Sequence, residues 1–467
     1  MAQTVSNHGR FPPHILLLLC ALLFHSSLAI VDGNTGGTWL VADVQSLYQK
    51  PVCSPPKEIN SKRLPITHRS SPCSPLSADS KPSHAQILKN DQVRVSSIQS
   101  RIRDGKRSFS VIVPAKPGLS LDIGNYVVKI GMGIPRKDFY VAVDTGSDLS
   151  WINCYPCLSC HGKPTTLYNP TRSRTHTDIL CNSTDCMRID QHSCSAYKRC
   201  NYKVIYGDMS QTNGYIVRDT LFLSGFDTLP NFIFGCGNNN TGLFGKVDGL
   251  IGLGRDNISL ASQASSKYGA IFSYCLPSVT STNDGYLLFG KSTLSNTKFT
   301  PMIKKPSSPS FYYLNLTTIL VGSYPLDVSS TVFTRDPGIV IDSGTVITRL
   351  PPVAYDKLKT LFQQLMDYQN YKKSPPFEIL DTCYNITGLD KVRLPTVSLV
   401  FSGGAVLDLD IPGILYTPDP TLTCLAFANT SGGAYDVGII GNTQQQTFDV
   451  SYDIANQMIG FRQGGCS

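Results

Sequence analysis

An all-β chain of two homologous lobes, with a few short helices and a cleft between the lobes, is the fold class this sequence predicts. Two observations carry that prediction. Charged residues are 16% of the 467 residues, against ~25% in an average globular protein, and Gly, Pro, Ser and Thr punctuate short runs of β-formers. The second observation is a repeat. An apolar run that stops at Asp, a small hydroxyl residue and Gly occurs once as Phe139–Val143 before Asp144-Thr145-Gly146, and again as Gly338–Ile341 before Asp342-Ser343-Gly344-Thr345. By average residue usage, one such triplet behind an apolar triplet arises by chance in well under roughly one chain in ten. Two of them, one in each half, point to duplicated lobes, and a chain of this length can give each lobe a core.

Each apolar run reads as a buried strand. Gly146 lets the chain turn tightly, so Asp144 sits at the exit of its strand and not on an exposed face. A single Asp-Thr-Gly is as readily an ordinary turn; the repeat gives it chemical meaning. Two carboxylates at close range cannot both ionise cheaply, so the pair holds one proton. The ionised member can take a proton from an intervening water while the protonated member hydrogen-bonds a carbonyl under attack. A peptide bond under acidic conditions suits that arrangement.

These motifs resemble those of the pepsin-type aspartic proteases, in particular the plant nepenthesin-like branch and, within it, the subgroup that includes the chloroplast-nucleoid-associated aspartic protease. The likeness spans roughly residues 115–467, with a similar-looking leading segment. It implies a bilobal pepsin-like fold in which Asp144 and Asp342 are the catalytic pair. Thr145 and Ser343 would lock the two loops together, and Ser147 and Thr345 would hydrogen-bond the carboxylates. Gly146 and Gly344 complete the loops, and Trp151 would support the flap tyrosine. Two hydrophobic-hydrophobic-Gly loops, Asp248–Gly252 and Val437–Asn442, would each thread behind an aspartate. The resemblance further implies an endopeptidase acting on polypeptides, without cofactor or metal, monomeric and sensitive to pepstatin-type inhibitors.

The N-terminus points to secretion. Ile15–Phe24 is an apolar run too short to span a bilayer, placed behind Arg10 and closed by Ser27-Leu28-Ala29, as in a signal peptide over residues 1–29. No later run approaches a transmembrane length, so no membrane anchor is expected. Asn182, Asn239, Asn257, Asn315, Asn385 and Asn429 begin glycosylation sequons. The expected destination is extracellular (the apoplast), ahead of vacuole or plastid. Of 15 cysteines, Cys20 falls in the signal, and Cys53 and Cys73 in the leading segment. The cluster Cys154, Cys157, Cys160, Cys181, Cys186, Cys194 and Cys200 could be read as a zinc site, but a secretory route favours disulfides. A cysteine-dense insertion after the first aspartate is a hallmark of the nepenthesin-like branch. The pairing expected is Cys154–Cys157, Cys160–Cys236, Cys181–Cys200, Cys186–Cys194, Cys275–Cys466 and Cys383–Cys424.

In order along the chain, residues 30–112 read as a pro-segment. They carry 12 Lys+Arg against 6 Asp+Glu, or +6 of the net +8, and one amphipathic helix, Ser83–Arg103, with Leu88, Val95, Ile98 and Ile102 at helical spacing behind a Ser83 cap. A solvated linker is the alternative. The resemblance favours a cover over the acidic cleft, which Arg101, Arg103, Lys106 or Arg107 would enter. Residues 113–305 form the first lobe, with the cysteine-rich insertion at 154–200. Asn125–Ile130 reads as a strand leading to the first aspartate. Tyr202–Tyr206 and Tyr215–Leu223 form a hairpin, which by resemblance is the flap over substrate, with Tyr206, Gly207 and Asp208 at its tip. Met209 stands where the family usually has Gly, at a cost in strain if that position needs a positive φ. Leu260–Tyr268 reads as a short helix and Tyr286–Phe289 as a strand. Lys304–Ser310 marks the boundary to the second lobe, 306–467. That lobe starts with a strand Phe311–Val321, then continues past Asp342 and Pro351-Pro352 into a helix with Leu358, Leu361, Phe362 and Leu365 on one face. Its last strand ends at Ile459-Gly460-Phe461.

Two other readings compete with an active protease. One is a catalytically silent protein of the same fold, an inhibitor or binding protein like the plant xylanase inhibitors; the two intact Asp motifs, Tyr206 and Trp151 argue against it. The other is a plastid DNA-associated regulator. Residues 113–467 carry 28 Lys+Arg against 27 Asp+Glu, so nucleic acid is not an expected partner of the body.

Overall fold

The computed structural model describes residues 30–31, 37–48, 63–76, 82–104, 126–160, 166–206, 210–224, 227–241, 247–281, 284–291, 295–430, 433 and 436–466. The expected signal segment, Lys106, Arg107, Gly207, Asp208 and Met209 lie outside the described residues. The fold is mostly β with few helices, in two lobes, as the sequence predicts. Two of the helices are not short: α1 (His84–Asp104) has 21 residues and α2 (Pro352–Asp367) has 16.

The lobes share a floor. Antiparallel strands run in the order Arg63–His68, Gly285–Phe289, Ile271–Cys275, Asp449–Asp453, Met458–Arg462 and Lys298–Ile303. The first of these belongs to the leading segment, which is therefore a structural part of the molecule. Phe272, Tyr312 and Tyr452 cluster in the core, with Phe272 and Tyr452 stacked parallel at 4.5 Å and Tyr312 edge-on to both.

Each aspartate is delivered by a strand that is apolar in the residues leading up to it, Phe139–Val143 in the first lobe and Ile339–Ile341 in the second. Lys137–Asp144 pairs antiparallel with Tyr126–Met132 and parallel with Gly249–Gly252. Ile339–Ile341 pairs antiparallel with Tyr312–Leu314 and parallel with Gly438–Ile440. A strand with neighbours on both edges and apolar cover on both faces needs an unbroken hydrophobic run, which is what precedes each Asp. The two hydrophobic-hydrophobic-Gly loops supply the parallel partners. Gly249 has to be Gly, because a Cβ there would meet the Trp151 carbonyl at 2.1 Å.

Two sequence expectations are corrected. Phe311–Val321 is not one strand: Tyr312–Leu314 and Leu316–Val321 lie in different sheets, with the break at Asn315, a poor strand former whose carbonyl accepts from Ser402 N–H. Leu260–Tyr268 is two single turns, Leu260–Gln263 and Ser265–Tyr268. Ser265 Oγ donates to the Ser262 carbonyl at the junction, competing with the helical ladder.

The disulfides also differ in part. Cys275–Cys466 and Cys383–Cys424 pair as expected. The other four expected bridges are replaced by Cys154–Cys236, Cys157–Cys160, Cys181–Cys194 and Cys186–Cys200. The physical reason is strand placement. Trp151–Asn153 runs parallel beside Gly235–Gly237, which brings Cys154 to Cys236 and leaves Cys157 and Cys160 to close their own short loop. Cys194 and Cys200 oppose each other across a hairpin, and each takes its partner from the preceding turn. Cys73 is disulfide-bonded as well.

Candidate active site

The two Asp loops meet at the base of the cleft. Thr145 and Ser343 each donate a backbone N–H to the other's hydroxyl oxygen, at 3.1 Å and 2.8 Å, forming a reciprocal lock. Asn442 Nδ2 donates to the Ser343 carbonyl and Gln445 Nε2 to the Asp342 carbonyl, holding the second loop from behind. In the first lobe Ser150 Oγ accepts from Gly252 N–H. The two carboxylates are nearly inaccessible, with Asp144 1% and Asp342 0% exposed.

Each carboxylate takes a backbone N–H from its own glycine: Gly146 to Asp144 Oδ1 at 2.9 Å, and Gly344 to Asp342 Oδ1 at 3.1 Å. These glycines matter for space more than for turn geometry. A Cβ on Gly146 would lie 2.7 Å from Asp342 Oδ1, and one on Gly344 would lie 2.6 Å from Asp144 Oδ1. Thr345 Oγ1 donates to Asp342 Oδ2 at 2.6 Å. Ser147 lies close enough to Asp144 to favour its anion, but its buried Oγ makes no hydrogen bond of good geometry. Trp151 Nε1 donates to Tyr206 Oη at 2.8 Å, so the last described residue before the flap tip is tied to the lobe's core.

A cation occupies the space between the carboxylates. Arg94, on α1 of the leading segment, places Nη2 2.6 Å from Asp144 Oδ1 and 2.9 Å from Asp342 Oδ2, with Nε 3.1 Å from Asp342 Oδ2. Helix α1 lies along the cleft, capped by Ser83 through Gln86 N–H. Its apolar stripe packs in two places: Ile87 and Leu88 against Val346 and Ile347, and Val95, Ile98 and Ile102 against Phe311, Tyr313 and Val340. Gln99 exchanges two hydrogen bonds with the Val437 backbone. Arg101 Nη1 donates to the Gly146 carbonyl.

The electrostatics follow from burial and this cation. Burial alone would raise Asp144, but Arg94 beside it, helped by Ser147 and the Gly146 N–H, holds it below the usual carboxylate range. Burial, together with the neighbouring Asp144 charge, raises Asp342 above that range in spite of Arg94. Burial disfavours the charge of Arg94, and the two carboxylates outweigh it. The site therefore holds two acids whose affinities for a proton are pushed apart.

The expectation that Arg101, Arg103, Lys106 or Arg107 enters the cleft holds in part. Arg101 reaches the Gly146 carbonyl of the first Asp loop, Arg103 is exposed, and Lys106 and Arg107 lie outside the described residues. The side chain between the two carboxylates, however, is Arg94. A net charge identifies a basic segment but not the side chain that points inward. The readable signal is positional. Asp91 and Arg94 fall on the same helical face as Leu88, Val95 and Ile98, and a charge on a buried face needs a partner. Arg349 and Asp91 were also missed; they form a fully buried ion pair at 2.9 Å.

Asn182, Asn257 and Asn429 are exposed, whereas Asn239, Asn315 and Asn385 are partly buried. Among the described residues, no cluster of His, Cys, Asp or Glu is arranged to hold a metal ion, and no helix is long and apolar enough to cross a membrane.

Comparison with known proteins agrees with this geometry. Residues 126–291 match the family described as xylanase inhibitor N-terminal, and residues 311–463 match xylanase inhibitor C-terminal. An aspartyl protease family protein of Arabidopsis thaliana is 42% identical over 431 residues, covering 89% of this chain and 90% of that one. Aspartyl protease AED1 of the same plant is 41% identical, covering 97% and 98%. Aspartic proteinase nepenthesin-2 of Nepenthes gracilis is 32% identical, covering 79% and 86%. Among solved structures, edgp superposes with a TM-score of 0.59 at 20% identity, over 75% of this chain and 93% of that one. Soybean basic 7S globulin does so with 0.57 at 23%, over 72% and 93%. These matches support the branch and do not single out the nucleoid-associated subgroup. The chain belongs to the plant nepenthesin-like family of pepsin-type aspartic proteases.

Proposed function

We propose that the chain is the zymogen of a secreted aspartic endopeptidase, with Asp144 and Asp342 as its catalytic pair and residues 30–112 as a removable cover. The observation that carries this reading is that both carboxylates lie within 3.0 Å of one nitrogen of Arg94. Two acids near enough to share one cation are near enough, once it leaves, to share one proton and one water. With Arg94 gone the pair holds one proton, and the member left ionised, which we take to be Asp144, is the base. It takes a proton from the water as oxygen attacks the peptide carbonyl, while protonated Asp342 hydrogen-bonds the carbonyl oxygen. Proton return to the departing amine completes the cleavage. Thr145 and Ser343 hold the two loops in register for this step.

Secretion and oxidative folding are supported by the apolar N-terminal run and by the six bridges between Cys154 and Cys466. The lobes divide near residue 305, and the mature form is read as a monomer. The test is to purify the full-length chain, acidify it, and digest a peptide library with and without pepstatin, beside Asp144→Asn. Pepstatin-sensitive cleavage absent from the variant is expected. A wild-type chain inert toward every peptide at low pH would instead favour a silent inhibitor or binding protein.

A further inference from the structure

Next to the catalytic pair, the body of the protein grips a second side chain of α1. Asp91 Oδ1 accepts the Val346 N–H at 2.6 Å, and Oδ2 accepts the Ile347 N–H at 3.1 Å and Arg349 Nη2 at 2.9 Å. All three donors come from the C-terminal lobe, immediately after the Asp342 loop. Arg349 is fully buried, braced by Nη1 on the Ile347 carbonyl, and its Nε is buried without a hydrogen-bond partner. Two converging backbone N–H groups and a guanidinium make a built carboxylate cradle. Its present occupant sits on the helix that plugs the cleft.

The pairing could be a structural ion pair that happens to cross between segments. Its position argues for more. Asp91 and Arg94 are three residues apart on one helical face, so the cradle lies one turn from the catalytic carboxylates. If α1 leaves, Arg349 loses its carboxylate and faces the opened groove, and a buried cation without a counter-charge is costly. We propose that this cradle is a substrate subsite for acidic side chains: Asp91 holds the place of an Asp or Glu of the bound polypeptide. Neighbours three apart on a helix have Cβ atoms ~5–6 Å apart, and an extended chain rises ~3.3 Å per residue. The preferred acid therefore lies about two residues from the scissile bond, and Arg349 is the residue that determines this specificity.

This inference rests on the protease reading, and its test separates the two. The acid-activated full-length chain is given peptide pairs differing only by Glu or Gln at each position, at about pH 5, where the peptide acid is ionised. A preference for Glu of about tenfold or more in kcat/KM at one position is expected, the scale of a charge-assisted hydrogen bond. It should vanish in Arg349→Gln, survive in part in Arg349→Lys, and fade toward about pH 3 as the peptide acid protonates. If the acidified chain cleaves nothing, equilibrium binding of the same pairs to the acidified Asp144→Asn chain decides the matter. A Glu preference there upholds the subsite while the protease reading fails. Equal handling of Glu and Gln at every position by the wild type, in cleavage or in binding, overturns it, whether or not the Arg349 variants fold.

Discussion

Besides its strand Arg63–His68 in the shared sheet, the leading segment grips the body in two places by opposite physics. At the back of the C-terminal lobe, strand Thr38–Asp43 pairs antiparallel with Lys391–Pro395 and buries Trp39, Leu40 and Ala42 in the main core. Thr38 adds hydroxyl contacts to Ser323 and Thr396, and Arg393 lies over the Trp39 ring at 4.8 Å. In the cleft, α1 is held by apolar contacts too, but its centre is ionic: Arg94 between Asp144 and Asp342, and Asp91 on Arg349. Apolar burial and backbone pairing are indifferent to protons. A guanidinium held by two carboxylates is not, because each loses its hold when protonated. The same segment thus carries one anchor that acid should leave in place and one that acid should loosen.

The order of loosening follows from the two carboxyls. Asp342, raised by burial and by its neighbour, takes its proton first as the pH falls. Asp144, held low in spite of burial by Arg94, keeps its charge longest, so its contribution is present above the ordinary carboxylate value and is lost as the pH falls through its depressed one. Arg94→Ala should produce the largest effect. Removing one partner from a buried ionic cluster costs ~3–5 kcal/mol, and the loss here falls on the docking of α1. Cleavage of a peptide, or binding of a pepstatin-type inhibitor, should then appear at a pH where the wild type is silent. No change in that threshold would mean that Arg94 is not the lock.

Trp39→Ala should act on the other anchor. Truncating a fully buried Trp costs ~3–5 kcal/mol, read as a lower denaturation midpoint at neutral and acidic pH alike, with the activation threshold unmoved. A shift of that threshold by this variant would erase the distinction between the anchors. The smallest effect concerns Asp148, just past the first Asp loop, which burial raises to about 6 although it accepts the Asp256 N–H. A raised carboxyl favours the fold when protonated, so its charge penalises the native state above that value, and the penalty disappears below the unfolded value of about 4. Asp148→Asn should add ~1 kcal/mol at neutral pH, allowing for the partial exposure of the side chain, and nothing at low pH. Urea melts at the two pH values check it; a variant less stable at neutral pH would contradict the sign.

Much of this is legible in the amino-acid sequence, for identifiable reasons. A strand buried on both faces must be apolar throughout, so both Asp strands announce themselves, and α1 shows its stripe from Leu88 to Ile102. Contacts between distant segments were not legible. Four cysteines within 181–200 allow several pairings, and only the hairpin that sets Cys194 opposite Cys200 selects one. Asn315 breaks a strand that its neighbours would continue. Arg94 is one of 12 basic residues in its segment, and which one enters the cleft depends on where the helix docks.

The most direct measurement is pulse-labelled hydrogen exchange, read by mass spectrometry on the full-length chain between about pH 7 and about pH 3 and corrected for intrinsic rates. Peptides from 84–104 should lose protection as the carboxylates take up protons, while those from 38–48 stay protected. Loss of both together, or a helix still protected after Asp144 and Asp342 are neutral, would contradict an ionic lock set between the two aspartates.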